Sequence, residues 1–136
     1  MIQRIQTVWL LLASICAFLT MKFAFYFIGQ HPDMQSDQFN ATNNMIILIL
    51  TSMLGTLCLF TIFVFKQRKL QLWLTILGVV ISALNIFLYF NSKKNYPGGG
   101  LALTSVFAFV IPIFLILAAR GIYKDQKLIR SMNRLR

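Results

Sequence analysis

The sequence predicts an all-α polytopic membrane protein: a four-helix antiparallel transmembrane bundle, both termini cytoplasmic, with a basic amphipathic C-terminal helix. Three observations carry that expectation. Hydrophobic residues make up 58% of the 136-residue chain and charged residues 12%, where soluble domains hold about 45–50% and about 25%; mean hydropathy is +0.73. The apolar residues gather into four long runs. The charges, thirteen basic and three acidic, fall almost entirely between and after those runs.

A hydrocarbon core about 30 Å thick is crossed by about 20 helical residues. The first expected span covers about 5–28 and is interrupted by Lys22. The second, about 45–65, and the third, about 70–90, hold no charge, and the third contains Asn85. The fourth, about 101–119, contains Pro112, which is expected to kink it. Continuous apolar runs favour helices over barrel strands, which alternate. Connections are short, so neighbours are expected to pack antiparallel. Residues 30–44 form the longest connection, and Pro97-Gly98-Gly99-Gly100 breaks the chain before the last helix. The expected division is a transmembrane domain at 1–119 and a basic tail at 120–136.

Orientation follows from the excess of Lys and Arg in cytoplasmic loops. An inside N-terminus puts Arg4, the Lys66/Arg68/Lys69 turn and the tail residues Arg120, Lys124, Lys127, Arg130, Arg134 and Arg136 on the cytoplasmic face. Lys93, Lys94 and, near the end of the first helix, Lys22 remain for the outer side. Arg4 and the apolar run after it resemble a signal peptide, but the run is too long and no small-residue cleavage site follows. Cys16 is preceded by Ile15, where a lipoprotein signal has a small residue. The first helix is therefore expected to stay uncleaved.

Composition also narrows the chemistry. The chain has no glutamate, one histidine and two cysteines. No carboxylate falls within an expected span, which argues against a proton-coupled exporter. Cys16 and Cys58 stand apart on different helices, unlike a redox pair. His31, Asp33 and Asp37 share a loop but make no spaced ligand set, so neither a metal nor a cofactor is expected. No enzyme activity is expected, because no acid–base or nucleophile–base pair is visible. The Asn40-Ala41-Thr42 triplet matches a glycosylation acceptor and matters only in a eukaryotic secretory setting.

Candidate contact residues remain. Asn85 is expected to glue helices together through a hydroxyl of Thr51, Ser52 or Thr56. Lys22 is expected to snorkel toward headgroups, with a partner contact as its other reading. In the tail, Leu128, Ile129, Met132 and Leu135 share one helical side and Arg120, Lys124, Lys127, Arg130 and Arg134 gather on the other. That pattern suits a helix lying in the cytoplasmic interface against anionic lipid, or docking to a protein. Nucleic acid is disfavoured, since the aromatic interleaving of single-strand binders is missing.

Three stretches carry a resemblance. Residues 1–13 (MIQRIQTVWLLLA), 66–72 (KQRKLQL) and 124–136 (KDQKLIRSMNRLR) resemble the start, inner turn and closing motif of a family of small membrane proteins of Bacteroidota, a domain of unknown function numbered forty-two ninety-three. The resemblance spans the whole chain. Gln126 and Asn133 stand where that family has acidic residues and Trp73 where it has a basic one. It implies four helices in a bacterial inner membrane, with no established activity and motifs that cluster on the cytoplasmic rim. The expected function is a non-enzymatic accessory or structural subunit of a larger membrane complex. It would dock through the rim residues Arg4, Lys66, Arg68, Lys69, Lys124, Lys127, Arg130 and Arg134, and through lipid-facing helices. The alternative is a small channel or carrier for an uncharged or hydrophobic solute.

Overall fold

The computed structural model describes residues 2–27, 38–94 and 100–132. Among them are four helices long and apolar enough to cross a membrane. They are α1 (Ile2–Lys22), α2 (Met45–Phe63), α3 (Arg68–Lys93) and α4 (Val106–Met132). Each packs against its sequence neighbours, and α1 closes the ring on α4. The four-residue connection between α2 and α3 makes those two antiparallel.

Side-chain size sorts inside from outside. Buried positions on α4 run Ala108, Ile111, Leu115, Ala118, Ile122 and Asp125. That alternating spacing of three and four is the seam of a left-handed helix pair. Ala13 and Ala17 of α1 and Ala118 of α4 share the central core, where small side chains let backbones approach closely. Gly55 of α2 serves the same end: a Cβ there would lie 3.0 Å from Phe18 Cζ. Many large residues along the spans point outward, with Phe63 at 77% and Phe87 at 66% exposure. A water-soluble bundle would invert this pattern.

The far end of the first span differs from a simple apolar run. The helix stops at Lys22, not near residue 28, and Tyr26–Phe27 becomes a short strand, β1, paired antiparallel with β2 (Gln38–Phe39). Hydropathy alone cannot separate the two, because Phe23-Ala24-Phe25-Tyr26-Phe27 is as apolar as the helix before it. Its aromatic residues favour extended backbone and pack into a cap. Phe25 stacks on Tyr89 with centroids 4.1 Å apart, and Tyr26 stacks on Phe39 at 4.5 Å. On its other side this segment bonds the chain entering α4: Phe27 N donates to Gly100 O at 2.9 Å and Ala102 N donates to Phe25 O at 3.1 Å. The Thr104 hydroxyl also donates to Ala24 O. Non-helical backbone at a membrane end is tolerated when its polar groups are paired in this way.

The last helix is the second difference. It does not end near residue 119 but runs unbroken from Val106 to Met132, through Pro112. Its 27 residues give about 40 Å, about 10 Å more than a hydrocarbon core. The basic tail is therefore the continuation of α4 and not a separate helix. His31, Asp33, Asp37, Pro97, Gly98 and Gly99 lie outside the described residues.

Candidate functional site

Gln6 in the first turns of α1, Arg68 at the start of α3 and Asp125 near the end of α4 meet at one end of the bundle. Gln6 Nε2 donates to Asp125 Oδ2 at 2.7 Å, and Arg68 Nη1 donates to the same oxygen at 2.9 Å. Gln6 is 3% exposed, and the side chains of Asp125 and Arg68 are 9% and 15% exposed. This is the one ion pair among the described residues. Asp125 lies nineteen residues beyond Val106, about 29 Å along the helix, which is close to the thickness of a hydrocarbon core.

Gly121, one turn before Asp125, makes room for the contact. A Cβ at that position would fall 2.8 Å from Gln6 Cγ, closer than packed carbons approach. Gln71, buried one turn after Arg68, extends the polar layer by donating from Nε2 to Thr61 O at 3.4 Å. The layer ties α1, α3 and α4 together where the helices would otherwise fray into the headgroups.

A second polar group sits deeper. Asn85 Nδ2 donates to Thr51 Oγ1 at 2.9 Å, and Thr51 in turn donates to Ile47 O at 2.7 Å. Ser52 and Thr56 do not join it. Ser52 is half-buried and bonds Ile49 O; Thr56 is exposed and bonds Ser52 O and Met53 O. Tyr89, buried at 1% exposure, brings its hydroxyl beside Thr51. Neither that hydroxyl nor Asn85 Oδ1 has a hydrogen bond of normal geometry. Cys16 and Cys58 are buried free thiols, and no group of three metal-ligating side chains forms among the described residues.

The family model for a domain of unknown function (DUF4293) matches residues 2–135. The chain is a member of the DUF4293 family. No curated protein and no solved structure matches it.

The remaining candidate residues sort by end. Lys66 and Lys69 beside the α2–α3 turn, and Lys124, Lys127 and Arg130 on α4, are all exposed at the end that holds Asp125. Arg68 of the same set turns inward to its carboxylate. Arg4 belongs to α1, but its side chain, like Arg134, lies outside the described residues. Lys22 is exposed at the opposite end, in the last turn of α1, where a cation suits the helix dipole. The apolar tail side is exposed as well, with Leu128 at 48% and Met132 at 66%. What α4 buries is instead Ile122 and Asp125. Gln6, Asp125, Gly121 and Tyr89 are the residues that sequence reasoning missed. The signal was present: the buried spacing of α4 continues in register past Ala118 to the single acid of the tail.

Proposed function

We propose that this DUF4293 protein is a non-enzymatic accessory subunit of a larger assembly in the bacterial inner membrane. Both termini are cytoplasmic in this reading. The observation that carries it is the use made of the chain's reactive groups. The only described acid is held by Gln6 and Arg68, so it serves the bundle's own cohesion. What is left for the surroundings is shape: large apolar side chains along the spans and a rim of exposed Lys and Arg. Packing of that kind supports membrane assembly without a soluble interface. The orientation draws on the rim, since the α2–α3 turn and the end of α4 share one basic end, the side favoured for the cytoplasm.

Affinity purification at native expression in mild detergent, followed by mass spectrometry, tests the reading. The expected result is a reproducible set of other integral membrane proteins in fixed ratio to this chain. Recovery as a free monomer or homodimer alone contradicts it.

One observation favours a second reading, a small channel or carrier for an uncharged solute. Among the described residues, Asn85 Oδ1 and the Tyr89 hydroxyl make no hydrogen bond of normal geometry, and a passing polar solute would satisfy them. Solute flux into liposomes holding the purified protein, abolished by Asn85→Leu, would place this reading first.

A further inference from the structure

The α2–α3 turn and the end of α4 border an open cleft of about 650 Å³. Lys66, Arg68 and Lys69 line it from the turn and Arg130 lines it from α4, with no acidic residue in the lining. Arg68 is neutralised by Asp125. Lys66, Lys69 and Arg130 are exposed and belong to no ion pair among the described residues. Three like charges converge on one space, so the cleft attracts a multiply hydrogen-bonding anion.

The rest of the lining is half polar, from Gln67 and Gln126, and half apolar. Leu70 and Ile129 form part of the wall. From Leu70 an exposed stripe continues along α3 through Trp73, Leu77, Val80, Leu84 and Phe87. The alternating spacing of three and four keeps these residues on one side of the helix. A basic cleft thus opens at the foot of a greasy track that runs the length of the membrane span.

We propose that the cleft binds the phosphate headgroup of an anionic phospholipid whose acyl chains lie along the α3 stripe. A free phosphate has the same charge chemistry but leaves Leu70, Ile129 and the stripe without a role. The proposal rests on the reading that this chain spans a bilayer with its basic end among headgroups. It does not depend on membership of a larger complex, so the purified chain is sufficient to test it.

Trp73 supplies the reporter. It is 73% exposed and stands five residues after Arg68, about 7.5 Å along the helix. The other tryptophan, Trp9, packs against Phe114 with centroids 5.4 Å apart, so Trp9→Phe keeps an aromatic ring there. The Trp9→Phe protein is placed in phosphatidylcholine bilayers containing phosphatidylglycerol with brominated chains, or the same fraction of brominated phosphatidylcholine. Stronger quenching of Trp73 by the brominated anionic lipid is expected. Each neutralisation among Lys66→Gln, Lys69→Gln and Arg130→Gln lowers its relative association about fivefold, and the triple variant shows no preference. Lys66→Arg/Lys69→Arg/Arg130→Lys retains it. Should the neutral triple variant lose helical circular dichroism, the single variants give the same graded reading. Equal quenching by both lipids overturns the proposal, as does a preference that survives neutralisation. Loss of the preference on adding millimolar inorganic phosphate overturns the lipid in favour of the free ion.

Discussion

Asp125 and its two donors govern the basic end, and their energetics follow from burial. Removing one member of a fully buried pair costs about 3–5 kcal/mol. Arg68 retains some access to water, so Asp125→Ala is expected to cost less, about 2 kcal/mol, because the guanidinium can reach headgroups. Arg68→Leu together with Asp125→Leu should recover most of that loss, since no unpaired charge is left. Unfolding in mixed micelles measures both variants; a double variant weaker than the single one would contradict this account. At Gly121, alanine gains about 1 kcal/mol of helix propensity. The 2.8 Å approach to Gln6 Cγ opposes it with an overpacking cost of about 1–3 kcal/mol. Gly121→Ala should therefore destabilise, and adding Gln6→Ala should relieve the clash. That Asn85 needs a hydroxyl mate was legible beforehand, because an amide within an apolar run must find a partner, but which of Thr51, Ser52 and Thr56 supplies it was not. Asp125 was not, because among lysines and arginines a lone carboxylate reads as solvated. Tyr89 gave no sign, since an aromatic ring in a span reads as lipid-facing or core.

The number and middle of each helix were readable from apolar run length alone, and their ends were not. Run length measures transfer into lipid and is blind to backbone geometry, so Phe23–Phe27 joined the first span although it folds as cap and strand. The same measure ended the fourth span at the first arginine, whereas α4 continues because only its outward sides become polar. The continuity of α4 has a direct test in Tyr123→Pro. Inside an unbroken helix this substitution removes a backbone bond and clashes with the preceding turn, costing about 3 kcal/mol. In a separate tail helix starting near Gly121, the same proline falls in the first turn and is tolerated. Thermal unfolding followed by circular dichroism is expected to show the large loss, and an unchanged transition would mean that the two segments fold independently.

Across the whole molecule, orientation and assembly are joined. Ser131 is exposed at the basic end, while the native thiols Cys16 and Cys58 are buried. Ser131→Cys is expected to react with a membrane-impermeant maleimide only after cells are permeabilised. Labelling in intact cells would reverse the topology and put the basic rim outside. The apolar surface of the spans makes no chemical statement about what covers it, which is why the sequence yields an architecture far more readily than a partner.

The accessory role is tested most directly by native electrophoresis of membranes solubilised in mild detergent, with the endogenous protein detected by blotting. This account predicts a discrete band well above the 15.6 kDa chain and above its dimer, which collapses to a smaller species when the detergent is made harsh. A single band at the monomer or dimer position under the mildest conditions would contradict it.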